Sequence, residues 1–341
     1  MTKPATKRSD HHVLPADLNW RTSLSHAFKH SRELLTTLGL ADDHSIPMET
    51  FPLRVPRGFA ERIQPGCPDD PLLRQVLPCT DELHTVDGYS TDPVGELDHV
   101  VAPGVLQKYP GRALLIVTGA CAIHCRYCFR RDYPYAGGSL SGRDFQAAMA
   151  VLAADPTIEE IILSGGDPLT LTNDKLALLF NALVQIKHIK RIRIHTRIPV
   201  ALPERIDLQL LELISSCPRS VIVVIHCNHA REIDDAVTVA ANNLTKAGSV
   251  MLNQSVLLRG VNDSVDTLID LSERLFEIGV LPYYLHQLDP VSGAAHFNVT
   301  DSRAVKIIDA VANRLPGYLV PRLVREIPGE SAKIFVHRAG E

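Results

Sequence analysis

YPGRALLIVTGACAIHCRYCFRR, residues 109–131, joins two unlike pieces of chain. The first is an apolar, β-branched run, ALLIVT at 113–118. The second sets Cys121, Cys125 and Cys128 within eight residues, spaced C-x3-C-x2-C, with Arg130 and Arg131 directly after. A short apolar run bounded by glycines is a buried strand, so the cysteines lie in the loop that leaves its C-terminal end. Three thiolates do not close a tetrahedral zinc site, and bacterial ferredoxins use another spacing. Zinc would require a fourth ligand, with His124, His226 or His229 as candidates. The spacing points instead to a [4Fe-4S] cluster held by three cysteines, with one iron open to a ligand.

Downstream of this loop the same alternation repeats. Apolar runs at 160–164, 191–196, 221–226, 251–258 and 281–287 are separated by amphipathic stretches at 144–154, 173–185, 204–214, 232–247 and 265–278. Strand–helix alternation with buried apolar strands implies parallel βαβ units. Six strands with their helices predict a partial (β/α)6 barrel better than a closed eight-fold one, although a closed barrel or an open doubly wound sheet would show the same alternation. Upstream, residues 1–106 are rich in proline and glycine. Helical spacing at 23–40 and a short helical piece at 70–78 make this a helical, loop-rich lead-in. We divide the chain into this lead-in, a core at 107–330 and a tail at 331–341.

Parallel α/β folds gather ligands at the C-terminal ends of their strands. Here those ends carry the cysteine loop, SGGDP (164–168), HTRIP (195–199), HCNH (226–229) and HQLDP (286–290). The cysteine spacing, with aromatic Tyr127 before Cys128, resembles the signature of the radical S-adenosylmethionine (SAM) superfamily. SGGDP then resembles the turn that binds the methionine part of SAM. Ser164, Gly165, Gly166 and Asp167 are its expected residues, the glycines allowing close backbone approach and Asp167 holding the ligand's ammonium.

Taken with IHCNHAREI, NQSVLLRGVND, PYYLHQLDPVSGAAHF and IPGESAK, these motifs resemble the lysine 2,3-aminomutase family, over about three-quarters of the chain and in the family's order. FPLRVPRGFAERIQPG and the short chain length look most like its branch that makes β-lysine for elongation factor P. The resemblance implies an isomerase with three cofactors: the [4Fe-4S] cluster, SAM and pyridoxal 5′-phosphate. It places the pyridoxal on Lys333, where PGESAK has Glu330, Ser331 and Ala332 in place of the family's glycines. By motif position, Lys108, Tyr109 and Arg112 would contact the pyridoxal phosphate, and His226 and Gln254 would lie along SAM. Arg130 would take the substrate carboxylate. Asp289 and Glu326 would take its ε-ammonium, Glu326 standing where an aspartate is usual. Cys67, Cys79, Cys217 and Cys227 have no metal-like spacing and are expected to be inert, with no zinc.

A net charge of −4 gives no pull toward nucleic acid or anionic membrane. No apolar run is long enough to span a bilayer, and the first twenty residues lack a signal peptide's apolar core. Seven cysteines in 341 residues do not make a secreted disulfide framework. The expected setting is the cytoplasm. Expected partners are lysine, an electron donor such as flavodoxin, and a functional link to elongation factor P and its lysine ligase. Alternatives are the same reaction serving lysine catabolism, or a non-catalytic zinc- or cluster-binding module.

Overall fold

The computed structural model describes residues 19–41, 51–135, 140 and 143–337; the remainder of the expected lead-in and tail lies outside the described residues. Among the described residues ten strands form one sheet in sequential order: β1 (Val100–Ala102), β2 (Val105–Leu106), β3 (Arg112–Thr118), β4 (Glu160–Gly165), β5 (Arg191–Thr196), β6 (Ser220–His226), β7 (Val250–Val256), β8 (Leu281–His286), β9 (Arg322–Arg325) and β10 (Ile334–Phe335). Strands β3 to β9 are parallel, while β1 and β2 precede them, and β10 follows, in antiparallel pairing.

All six expected strands are present as β3 to β8. The short β9 continues the parallel series and was not expected, because RLVR between two prolines shows no period. The lead-in helices are α1 (Trp20–Ser25), α2 (Ser31–Thr37), α3 (Arg57–Ala60) and α4 (Pro71–Arg74). The core helices are α5 (Arg143–Ala154), α6 (Asn173–Gln185), α7 (Ile198–Ala201), α8 (Leu208–Ser215), α9 (Asp235–Lys246), α10 (Val265–Glu277) and α11 (Asp301–Ala312). Asp207, Asp234 and Ser264 cap α8, α9 and α10 through their side chains, so each helix starts where an Asp or Ser precedes an amphipathic run.

The period-2 alternation of each strand sorts its side chains. Leu115 and Val117 of β3, Leu163 of β4, Ile194 of β5 and Val223 of β6 pack on Leu152, Leu176, Leu183 and Leu244 of the helices in the main core. The intervening residues, among them Arg112, Ser164, His195, His226, Gln254 and His286, face the other way and line a cavity of about 520 Å³. Laid flat, β3 and β9 would stand roughly 29 Å apart at ~4.8 Å per strand. Yet Lys108, just before β3, bonds Glu326, just after β9, at 2.9 Å. The sheet is therefore curled into a partial barrel whose open side this ion pair spans. The lead-in packs on the barrel through its own core of Phe28, Leu34, Phe59, Leu72 and Val76, which reaches Ile123 and Cys125 of the cysteine loop.

Candidate active site

The cysteine loop leaves β3 and is fastened from outside by the lead-in. His124 N donates to Arg54 O at 3.0 Å and Arg126 N to Gln75 O at 2.9 Å. The buried Arg126 guanidinium forms a fork with Glu82 at 2.7 and 2.5 Å and reaches Phe51 O at 2.8 Å. Held this way, Cys121, Cys125 and Cys128 share one wall of the cavity. Each has an arginine for company: Arg54 acts on Cys121, Arg130 and Arg131 on Cys128, and Arg197 Nη1 lies 2.7 Å from Cys125 Sγ. Burial pushes the Cys128 thiol up to about 12, with the Cys125 charge adding to it, and pushes Cys121 up as well. A bound iron deprotonates its thiols outright, and the arginines suit the resulting anions, so these residues fit a thiolate-held cluster. Among the described residues no group of three His, Cys, Asp or Glu is arranged to hold a metal ion. The assignment of the three thiols rests on their loop, their shared wall and their arginines.

At the end of β4 the two glycines meet a packing requirement of their own. Gly165 has φ +118°, and a Cβ there would lie 2.4 Å from Thr118 O; a Cβ on Gly166 would lie 2.4 Å from Ala120 O. Gly166 N and Asp167 N donate to those same carbonyls at 2.7 and 2.8 Å. The pair is required by the close approach of this turn to the cysteine loop, before any ligand is considered. Asp167 is likewise not free for an ammonium group. Its carboxylate accepts from Leu169 N (3.0 Å), Arg197 N (2.7 Å) and Ile198 N (3.1 Å), and Thr196 Oγ1 lies 2.7 and 2.9 Å from its two oxygens. It ties the end of β5 to the end of β4. Burial raises this carboxyl, and those same hydrogen bonds oppose the rise. Ser164 also faces the cavity, where its hydroxyl accepts from Arg130 Nη1 at 2.7 Å.

His226 and Gln254 are register partners across β6 and β7, and both line the cavity. His226 Nε2 is 2.8 Å from Tyr127 OH, the rings stacking at 5.6 Å. Burial, then Arg197, pushes His226 down to about 3, so it is a neutral imidazole.

The same cavity is lined by a second cluster of charge. Antiparallel pairing of Ile334 with Arg325 folds the chain back and sets Lys333 beside Glu326. The Glu326 carboxylate accepts from Lys333 Nζ through one oxygen and from Lys108 Nζ, at 2.9 Å, through the other. Burial alone would raise Glu326, but the two lysines hold it well below the usual carboxylate range. Asp289 behaves in the opposite way. It is pushed up to about 7 by burial and then by Glu326, and its Oδ1 has no hydrogen-bond partner. His195 Nε2 and His286 Nε2 are also buried without partners, and all three residues line the cavity. Tyr109 and Arg112 stand on the same wall, the guanidinium 5.1 Å from the ring centre. Orphaned buried polar atoms beside a lysine and a free guanidinium fit a polar, phosphate-bearing ligand together with its substrate.

Arg130 is where the expectation changes most. Its fork, expected to be free for a substrate carboxylate, is filled by Glu96, with Nε and Nη2 each 2.6 Å from a carboxylate oxygen. Glu96 had no signal in the sequence, standing in an aperiodic lead-in segment, and neither had Gln75. Arg197 and Glu232 lie inside HTRIP and IHCNHAREI, but nothing in those motifs singles them out.

A curled parallel sheet with a three-cysteine loop at the end of its first parallel strand defines a radical SAM enzyme, and the Radical SAM superfamily model matches residues 115–226, from β3 through β6. The chain is 46% identical to the L-lysine 2,3-aminomutase of Escherichia coli strain K12, over 94% of each chain. It is 43% identical to that of Haemophilus influenzae over 94% of this chain and 96% of the relative. It is 34% identical to that of Clostridium subterminale over 81% of this chain and 66% of the relative. The chain belongs to the L-lysine 2,3-aminomutase family. It is an isomerase of the radical SAM superfamily whose cofactors are a [4Fe-4S] cluster, SAM and pyridoxal 5′-phosphate.

Proposed function

We propose that this protein moves the α-amino group of L-lysine to the neighbouring carbon, giving β-lysine. The observation that carries this reading is one cavity lined both by the three thiols and by Lys333, Glu326 and Asp289 with its partnerless oxygen. When bound, the cluster with SAM supplies hydrogen-atom abstraction, and pyridoxal phosphate supplies a π-system through which nitrogen can migrate.

The chain's own residues do the rest. Cys121, Cys125 and Cys128 are the proposed metal ligands, and Lys333 the proposed covalent anchor for the pyridoxal. Lys108, Tyr109 and Arg112 are proposed for its phosphate end. Lys108 is also spoken for by Glu326 and by Val94 O at 2.9 Å, so Arg112 is the freer cation. Ser164, Gly165 and Gly166 offer backbone and hydroxyl groups toward SAM, with His226 and Gln254 alongside. Arg130 is the proposed partner of the substrate carboxylate, which has to share or displace Glu96. Asp289 is the proposed partner of the ε-ammonium; a cation entering beside it favours loss of its proton. Glu326, claimed by two lysines, has less to offer that ammonium, and its extra methylene lets one carboxylate reach both Lys108 and Lys333.

We further propose that the β-lysine serves the modification of elongation factor P through its lysine ligase, in the cytoplasm, with a flavodoxin-type electron donor. Support comes from the near end-to-end match to the short Escherichia coli relative, against 66% of the longer clostridial one. No helix of the described residues is long and apolar enough to cross a membrane. The test is product analysis after anaerobic incubation of the reconstituted protein with L-lysine, SAM, pyridoxal phosphate and dithionite. β-Lysine is the expected product; SAM cleavage with lysine unchanged overturns the assignment. Mass analysis of elongation factor P from a strain lacking this protein tests the wider role, with loss of the lysyl addition expected.

A further inference from the structure

We propose that Arg197, aimed by Glu232 and Gln75, tunes the reduction potential at the cysteine loop by donating to the sulfur of Cys125; this rests on the reading of Cys125 as a cluster ligand. Arg197 follows β5, where its backbone N is fixed by Asp167 at 2.7 Å. Its guanidinium is buried and divided between partners: Nη2 lies 2.9 Å from Glu232 Oε2 and 2.7 Å from Gln75 Oε1, while Nη1 lies 2.7 Å from Cys125 Sγ. Arg–carboxylate pairs are frequently forked, two nitrogens meeting the two carboxylate oxygens, as Arg130 does with Glu96. Here only one arm meets Glu232, and the other is directed at the thiol.

The aim is enforced by a set of buried polar groups. Glu232 Oε1 accepts from Gln75 Nε2 (3.0 Å), Asn228 N (3.0 Å) and His229 N (3.1 Å), so its carboxylate has no freedom to follow the arginine. Gln75 Oε1 also takes Tyr127 OH at 3.1 Å and Asn228 Nδ2 at 3.0 Å. Gln75 belongs to the lead-in, so a segment outside the barrel helps to set this contact. None of the groups proposed for lysine or the pyridoxal belongs to this network.

The step affected is one-electron reduction of the thiolate-held cluster by a low-potential reductant, with no bond made or broken and no proton moved. Reduction adds negative charge to the sulfurs and irons. A cation and an N–H donor at one sulfur stabilise the reduced form more than the oxidised one, and burial strengthens the effect. Removing Arg197 therefore lowers the potential.

The experiment is a potentiometric titration with dithionite of the anaerobically reconstituted protein, followed by the electron paramagnetic resonance of the reduced cluster, with iron per chain measured alongside. The double variant Arg197→Gln/Glu232→Gln removes both charges and leaves no lone buried ion. Its reduction equilibrium is expected to shift about ten-fold toward the oxidised form, 59 mV for one electron, with iron content unchanged. An unchanged potential at full iron content overturns the proposal. Arg197→Lys keeps the charge beside Glu232 and loses the arm to the sulfur, so about half that shift is expected. It carries the test if the double variant does not fold, and an unchanged potential in it also overturns the proposal. Cys125→Ala separates the two levels. If it keeps the cluster's signal and iron, the reading of Cys125 as a ligand is wrong, whatever the arginine variants do.

Discussion

Asp289 and Glu326 are two acids that line one cavity, yet their carboxyls are shifted in opposite directions. Glu326 has two lysines and stays ionised, whereas Asp289 is left with a partnerless oxygen and a carboxyl near 7. A carboxyl raised this way is largely neutral below about pH 7 and ionised above it, and only the ionised form attracts an ammonium group. The Michaelis constant for lysine should therefore climb as pH falls below about 7, by up to ten-fold per unit, and flatten above it. Asp289→Asn should abolish that dependence and raise the constant ten- to a hundred-fold, since a charge-assisted hydrogen bond contributes about 1.5–3 kcal/mol. Steady-state kinetics between pH 6 and 8.5 would check both outcomes, and iron content should not change. Lys333 is open to a chemical test. Borohydride treatment of the pyridoxal-loaded protein should leave the pyridoxyl group on the peptide that contains Lys333, and Lys333→Ala should lose the label while keeping its iron.

At the scale of elements, the site depends on how closely consecutive βα turns approach. The end of β4 presses on the end of β3 through Gly165 and on the start of the cysteine loop through Gly166, with no room for a methyl group. Gly166→Ala should push the two apart, costing about 1–3 kcal/mol, and the protein should retain less iron at equal concentration. Urea melts with iron analysis would measure both effects, and an unaltered melt would mean that the loop yields freely. A second support comes from the lead-in, where buried Glu82 pairs with Arg126 and, at 3.2 Å, with Arg131. Removing one member of such a buried pair costs about 3–5 kcal/mol. Glu82→Ala should therefore destabilise the chain by that order and loosen the cysteine loop, visible as faster loss of iron to a chelator.

Over the whole molecule, described parts of the lead-in and the tail complete the barrel's sheet and its site. The lead-in supplies β1 and β2, the Arg54 and Gln75 contacts to the cysteine loop and Glu96 on Arg130, while the tail supplies β10 and Lys333. A chain cut to begin at residue 107 should lose soluble expression, because it exposes the edge of β3 and the Ile123 and Cys125 face; a folded, iron-binding fragment would contradict this. Much of the molecule was legible without coordinates. Apolar period and helix caps are local properties, so strands β3 to β8 and the helices between them could be read from the residues. The three-cysteine spacing points to a cluster with one open iron, and its resemblance to the radical SAM signature supplies the expected chemistry. What tertiary structure decided was partnership. Glu96, Gln75 and Glu232 meet the arginines of the site across 34 to 122 residues of chain, distances over which no sequence period operates. The packing partners of Asp167 and the two glycines were out of reach of the sequence for the same reason. Whether a buried carboxylate is free for a ligand depends on which backbone donors the fold brings to it, and only the packed turns supply that answer.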